Sequence, residues 1–185
     1  MFSRKQSISP PVNTDMISKQ KRYETLVQAL HSDIYRYAYW LVGNKAVAED
    51  ITQETFLRAW KSLDSLNDEK AAKSWLITIL RRENARRFER KQFDLVDMDD
   101  VALSDDGPGH ETQLEHRQLH KLMASLSEEY REPLILQIMF GYSGDEIAEQ
   151  LDLNKNTVMT RLFRARNQIK EALESSEQTR GRKNG

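Results

Sequence analysis

The sequence predicts an all-α protein made of two small helical domains joined by a flexible acidic linker. Apolar residues recur three and four positions apart before residue 91 and again after residue 118, as in amphipathic helices. The intervening residues 92–117 carry eight acids and one base around a Gly-Pro-Gly sequence. The apolar content of 38% is low for one large core in a chain of 185 residues.

These patterns divide the chain into segments. Residues 1–22 carry five bases and one acid with little apolar content, so we expect a flexible basic tail. A flexible tail is expected again at the C-terminal end. The predicted order is the tail over 1–22, a first domain over 23–91, the linker over 92–117, a second domain over 118–174 and a tail over 175–185.

Composition excludes several kinds of chemistry. The chain has no cysteine, which rules out disulfides, thiolate zinc sites and thiol nucleophiles. It shows no signal-peptide pattern and no run near the roughly 20 apolar residues of a membrane span, so we expect a cytoplasmic protein without membrane insertion. The net charge of −1 hides a strong segregation of charge along the chain.

Three helices are predicted in the first domain. The first begins near Tyr23 and ends at Gly43-Asn44. The second runs from about Lys45 to Leu63, and its buried stripe consists of Ala48, Ile51, Thr55 and Trp60, broadened by Phe56 and Leu63. These two helices should pack antiparallel across their short turn.

The third helix combines an apolar stripe with a basic face. Ser74 is its predicted N-cap, and Trp75 is expected in the core. Other predicted apolar positions include Phe88. The basic face comprises Arg81, Arg82, Arg86, Arg87, Arg90 and Lys91.

The second domain contains a predicted helix-turn-helix within residues 126–173. Ser127 and Pro133 are expected to mark boundaries of its first two helices, and Gly141 ends the second of them. Ser143 and Glu146 have the spacing of a capping box at the start of a short helix. A polar turn over residues 152–154 then leads to a long helix from about Lys155 to Leu173, whose buried positions are Val158, Leu162, Ala165 and Ile169.

The long helix has the charge expected of a DNA reader. Residues 155–170 include five bases and no acid, which suits a helix that neutralises phosphates while its first turns meet base edges. Asn156 and Thr157 could take a phosphate, whereas Thr160 and Arg164 could touch bases. Phe163 and Arg164 could instead pack against the neighbouring helix. An ordinary amphipathic helix in a bundle is the alternative.

Two sets of residues resemble a known family. Glu146-Ile147-Ala148, Thr157-Val158 and residues 161–166 resemble the promoter-binding C-terminal domain of bacterial sigma factors. Residues 48–56, then Ala59-Trp60 and Ser74-Trp75-Leu76, resemble the second sigma domain of the extracytoplasmic-function (ECF) group. The resemblance spans about residues 23–173 and implies a subunit that joins core RNA polymerase, recognises two promoter elements and is not itself an enzyme.

The resemblance also implies roles for individual residues. The residues that would dock on the clamp coiled coil of the polymerase largest subunit are Asp50, Gln53, Glu54 and Phe56. Contact with the minus-ten element falls to Arg81, Arg82, Asn84, Arg86, Arg87 and Arg90. Contact with the minus-thirty-five element falls to Lys155, Asn156, Thr157, Met159, Thr160, Arg161, Phe163, Arg164 and Arg166. An anti-sigma factor is an expected partner, and neither a cofactor nor a small-molecule substrate is expected.

Two positions depart from the family pattern. Arg82 stands where related proteins often have Asn, and Met159 stands where many carry Arg. The preferred bases at both promoter elements therefore cannot be copied from relatives.

Other functions fit the residues less well. His110, His116 and His120 have a spacing that could hold a metal, but their exposed acidic setting favours a solvated helix. No motif supports catalysis. The alternatives are a free-standing helix-turn-helix repressor with dimerising N-terminal helices and a regulatory protein that sequesters a polymerase partner without touching DNA.

Overall fold

The computed structural model describes residues 12–93 and 110–181, and side chains over 15–90 and 118–175. No strand occurs among the described residues, which confirms the all-α fold class. None of the helices described combines the length and apolar content that crossing a bilayer requires. The helices are α1 (Val12–Val42), α2 (Lys45–Ser62), α3 (Ala72–Phe93), α4 (His110–Ser125), α5 (Glu128–Phe140), α6 (Gly144–Leu151) and α7 (Lys155–Gly181).

The first domain consists of α1, α2 and α3 packed around one apolar core. Gly43 ends α1 with a φ of +70°, a left-handed conformation that glycine adopts without strain. Asn44 then caps α2, because its side chain accepts a hydrogen bond from the backbone N–H of Val47 at 3.0 Å. The turn and the boundaries of α2 agree with the prediction.

α1 begins earlier than the sequence predicted. Residues from Val12 onward are helical, so the expectation of a flexible tail over 1–22 is wrong for its second half. Tertiary contacts explain the difference: Arg22 donates to the backbone carbonyls of Leu63 and Leu66, and Lys19 pairs with Asp64 at 2.7 Å. These contacts fasten the start of α1 to the loop after α2.

The start of α3 also differs from the prediction. Two 3-10 turns, Leu63–Ser65 and Glu69–Ala71, lead from α2 into α3, and Asp68 caps the second of them. Ser74 lies inside α3 and is not its N-cap. Trp75 is partly buried against the core as expected, whereas Phe88 is 49% exposed and does not belong to it.

The predicted linker is only partly within the described residues. Residues 94–109 lie outside them, and α4 begins at His110, eight residues before the predicted start of the second domain. At the other end, α7 continues to Gly181 and so includes residues predicted as a flexible tail. α4 and α7 therefore include residues that the composition had assigned to the linker and to the C-terminal tail.

The second domain consists of α4 to α7. Ser127 precedes α5 as predicted, but Pro133 lies within this helix. Gly141 ends α5 with a φ of +67°. The predicted buried positions Val158, Leu162 and Ala165 are each 0% exposed, and they pack α7 against α5 and α6.

A polar network joins the two domains. The buried hydroxyl of Tyr37 in α1 donates to Glu132 Oε1 in α5 at 2.6 Å. Arg81 Nε in α3 donates to the same carboxylate oxygen at 2.6 Å. In addition, Gln150 in α6 donates to Thr78 Oγ1 at 3.0 Å, and Arg131 in α5 donates to the carbonyl of Leu41 at 2.6 Å. The domains thus meet through bonds that orient them as well as through apolar contact.

Candidate nucleic-acid interface

Local hydrogen bonds set the geometry of the helix-turn-helix. Ser143 and Glu146 form the predicted capping box, in which the Ser143 N–H donates to Glu146 Oε2 at 2.8 Å and the Glu146 N–H donates back to Ser143 Oγ at 3.3 Å. The backbone hydrogen bond lowers the pKa of Glu146, so its carboxylate stays charged at the N-terminus of α6. The cap therefore fixes where α6 begins.

The turn between α6 and α7 is equally well defined. Asp152 adopts a left-handed φ of 54°, and its N–H bonds back to α6. Asn154 Oδ1 accepts a hydrogen bond from the Thr157 N–H at 2.8 Å, which caps the start of α7. Ile147 and Val158 are both fully buried where the two helices cross. These contacts fix the orientation of α7 relative to α6.

α7 presents most of the predicted DNA-reading residues to solvent. Thr157 and Arg161 are half-buried. The exposed members of the predicted set are Lys155, Asn156, Met159, Thr160, Phe163, Arg164 and Arg166. The structure thus gathers the predicted minus-thirty-five residues on one helix, but their contact with DNA stays a prediction.

Neighbouring side chains form ion pairs and hydrogen bonds with the cations of this surface. Arg161 pairs with Glu129 at 3.4 Å, and Arg164 donates to the Tyr130 hydroxyl at 3.2 Å. Arg166 donates to the amide oxygen of Gln137. Exposed pairs of this kind are worth only about 0–1 kcal/mol, so a DNA phosphate can replace these partners at little cost.

The predicted minus-ten residues divide into two groups. Arg82 and Arg90 are exposed on α3. Arg86 is also exposed but pairs with the buried Glu83 at 2.6 Å. Desolvation lowers the pKa of Arg87, and the nearby charge of Asp50 partly offsets this effect.

The other two members of the predicted minus-ten set lie at the domain interface. Arg81 pairs with Glu132, and Asn84 is 3% exposed with its Nδ2 donating to Glu128 Oε1 at 3.3 Å. The arrangement of the domains observed here therefore occupies both side chains with contacts inside the protein. Their assignment to DNA stays a prediction, and it requires the interface to open.

The predicted polymerase-docking residues also differ in exposure. Asp50 and Gln53 are exposed on α2, and Glu54 is partly exposed and pairs with Arg58 at 3.2 Å. Phe56, in contrast, is 5% exposed and stacks on His31 with ring centroids 5.5 Å apart.

The adjacent Leu57 is 56% exposed and supplies the apolar surface of this face. The predicted docking set omitted it. The sequence signal for this exposure is that Leu57 lies outside the predicted buried stripe of α2.

The structure gives no support to a metal site among the residues whose side chains it describes. No group of three metal-ligating side chains occurs in the described ranges. The expected exposed setting is wrong for His120, which is 4% exposed and packs against Tyr39 and Trp40, at centroid distances of 4.7 and 5.2 Å. The side chains of His110 and His116 lie outside the described residues.

An exposed basic helix set at a fixed angle by a capped partner helix defines a DNA-binding protein of the helix-turn-helix class. Comparison with known families gives a narrower assignment. Residues 26–93 match the family described as Sigma-70 region 2, and residues 116–169 match the family described as Sigma-70, region 4. Together these matches cover more than half of the chain.

Individual relatives agree with this result. The chain is 36% identical to the RNA polymerase sigma factor SigV of Bacillus subtilis over 133 residues, which cover 72% of this chain and 80% of that protein. It is 24% identical to the ECF RNA polymerase sigma factor SigX of the same organism, over 84% of this chain and 85% of that protein.

A solved structure also matches the fold. The sigma factor RpoE from Bartonella quintana, solved in complex with the anti-sigma factor NepR, superposes with a TM-score of 0.71 at 28% identity. The match covers 83% of this chain and 98% of that one. The chain therefore belongs to the sigma-70 family, in its ECF group, and its function is promoter recognition with RNA polymerase. A free-standing repressor is not favoured, because both sigma regions are present.

Proposed function

We propose that the chain is a non-catalytic subunit that docks on core RNA polymerase through α2 and reads the minus-thirty-five element with α7. The observation that carries the proposal is the exposed face of α7, which has no acid from residue 155 to 170 and lies beside the capped α6. A long helix held this way fits the major groove of B-form DNA. We place this activity in the cytoplasm, where the polymerase acts.

The docking surface is defined by Asp50, Gln53, Glu54 and Leu57. The carboxylate and amide groups of the first three share one face of α2 with the exposed leucine, and such a surface suits a basic partner helix with an apolar anchor. We infer that this partner is the clamp coiled coil of the polymerase largest subunit. Phe56 is 5% exposed, so we assign it to the core beneath this surface and give its place in the docking set to Leu57.

The minus-ten contact is assigned to α3. Arg82 and Arg90 are exposed and can meet backbone phosphates while the domains stay packed. Arg81 and Asn84 can join them only after leaving Glu132 and Glu128. Full contact with the minus-ten element therefore requires the two domains to separate.

A protein inhibitor is the further partner that we propose. The Bartonella quintana relative was solved with an anti-sigma factor, and its chain matches this one along nearly its whole length. An inhibitor that favours the packed arrangement would keep Arg81 and Asn84 on α5. It would thereby oppose promoter binding without covering α7.

Run-off transcription tests the proposed function. The purified chain is added to core RNA polymerase on a promoter library, and we expect transcripts that start downstream of paired upstream elements. No stimulated transcript from any template would contradict the proposal. Binding of the chain alone to a palindromic duplex, without stimulation, would favour the repressor.

A paired variant tests the docking surface. Asp50→Arg with Leu57→Ala should weaken binding to core polymerase at least tenfold and leave the helical circular dichroism unchanged, because both side chains are exposed. Glu24→Arg with Met16→Ala is the matched control, since it makes the same kinds of change on the exposed surface of α1. Equal core binding by the two variants would refute the assignment.

A further inference from the structure

α7, the helix that we propose reads the minus-thirty-five element, carries two large apolar side chains on its exposed face. Met159 is 49% exposed and Phe163 is 63% exposed, although the rest of α7 offers Val158, Leu162 and Ala165 to the core. Side chains of this size are exposed at a cost in hydration. Their position is therefore a feature that the packing of the domain does not explain.

These two residues share one stripe with polar residues. Asn156, Met159, Thr160, Phe163 and Asn167 follow one another at spacings of three, one, three and four, so they lie along a single face of α7. All five are exposed. The stripe therefore has an apolar centre between polar residues.

The surroundings of the stripe indicate what it meets. Lys155, Arg161, Arg164 and Arg166 flank it, and no acid occurs on α7 before Glu171. A protein partner that covered an apolar pair would not need this excess of cations, whereas the phosphates on either side of a DNA groove would. The occupant that fits both the charge and the apolar centre is the floor of the major groove.

Only one base presents an apolar group there. Thymine carries a C5 methyl in the major groove, and apolar side chains recognise it, whereas the other bases offer hydrogen-bond donors and acceptors at the corresponding edge. We propose that Met159 and Phe163 read the methyl groups of thymines in the minus-thirty-five element. The inference rests on the proposed function and goes beyond it in naming the bases and the chemistry of their recognition.

The position of Met159 adds support. A Cβ on Gly144, the first residue of α6, would lie 3.1 Å from Met159 Sδ. The thioether therefore lies against the start of α6, while Met159 as a whole stays 49% exposed and available to a base.

Replacing thymine by deoxyuridine tests this recognition, because the change removes only the methyl. Holoenzyme made from core polymerase and this chain first selects duplexes from a library randomised in the upstream element. Each thymine in the selected element is then replaced by deoxyuridine on either strand. We expect at least one replacement to weaken holoenzyme binding about fourfold, since one buried methyl group is worth about 0.8 kcal/mol.

The ratio of affinities for the thymine and uracil duplexes isolates the contact. Met159→Ala with Phe163→Ala should bring this ratio to about one. A general loss of affinity affects both duplexes equally and therefore leaves the ratio unchanged. Leu173→Ala is the matched control, because Leu173 is 45% exposed on the same helix but lies 14 residues beyond Met159, about 21 Å along the axis. It should keep the wild-type ratio.

Each outcome decides the inference. A wild-type ratio of one at every thymine, or a ratio that the double variant leaves unchanged, would overturn it. A library with no selected element overturns the proposed function, and the inference falls with it. Selected elements without thymine discrimination overturn the inference alone.

Discussion

Tyr37 and Glu132, 95 residues apart in the chain, share a buried hydrogen bond of 2.6 Å between the two domains. Tyr37 is 0% exposed and Glu132 is 8% exposed. Burial and the adjacent carboxylate raise the pKa of Tyr37 well above its ordinary value, so its hydroxyl remains a donor. Arg81 supplies the positive charge that a buried carboxylate needs.

Tyr37→Phe should destabilise the chain by about 1–3 kcal/mol, because the substitution removes a buried donor to a charged group and leaves the ring in place. The free energy of unfolding in urea measures the effect. Tyr130→Phe is the control, since the Tyr130 hydroxyl lies on the surface and only accepts from Arg164. Equal losses for the two variants would contradict the structural account of Tyr37.

Glu132→Gln should loosen the packing of the domains. The variant keeps an acceptor for Tyr37 but removes the charge that holds Arg81. Fluorophores on Ser62→Cys and Glu149→Cys, one exposed residue in each domain, report the separation by energy transfer, and the chain has no native thiol to interfere. We expect lower transfer efficiency in the variant.

Glu129→Gln is the matched control for this measurement. Glu129 pairs with Arg161 inside the second domain, so losing its charge leaves the domain interface intact. Lower transfer efficiency in both variants to the same extent would show that Glu132 has no special part in holding the domains together.

The interface should also respond to pH through Glu128. Desolvation, followed by the charge of Glu132, raises the pKa of Glu128 above its ordinary value of 4.5. The folded state then binds more protons than the unfolded state in the window between the two pKa values. The contribution of Glu128 to stability therefore falls as the pH rises through this window, and the loss is complete above the raised pKa.

Glu128→Gln removes this titration. The free energy of unfolding of the variant should increase relative to that of the wild type as the pH rises from the ordinary value of 4.5 through the raised pKa. Urea unfolding at several pH values measures the difference. A difference that is constant, or that changes in the opposite direction, would contradict the raised pKa.

Gly141→Ala tests the end of α5. Gly141 has a φ of +67° and no atom within 4 Å of the position that a Cβ would occupy, so the substitution meets no steric obstacle. The expected loss of about 1 kcal/mol arises from the backbone alone. Gly141→Asn should cost less, because asparagine tolerates the left-handed conformation better. Thermal unfolding compares the three proteins.

The features that the sequence predicted correctly are those set by interactions between residues close together in the chain. The capping box at Ser143 and Glu146, the ends of helices at Gly43 and Gly141 and the buried positions of α7 depend on residues a few positions apart. The buried stripe of α2 already placed Phe56 inward, whereas the resemblance placed it on the docking surface. The structure agrees with the stripe.

Contacts between distant parts of the chain explain what the sequence could not predict. Arg81 and Arg82 are neighbours of the same residue type on one basic helix, yet Arg81 meets Glu132 and Arg82 is exposed. Nothing local distinguishes them. In the same way, Arg22 belongs to α1 and not to a tail, and its side chain reaches the carbonyl of Leu63, 41 residues away.

The close approach of Met159 to Gly144 couples α7 to α6. We expect this coupling to influence how the DNA-reading face of α7 changes in evolution. A Cβ at position 144 would press on the thioether at 3.1 Å, although position 144 itself lies outside the reading helix. A long side chain at position 159 would therefore have to shift if position 144 carried a Cβ. Among relatives that diverged in promoter choice, we expect the two positions to covary, with glycine at the first wherever the second keeps a long side chain over α6.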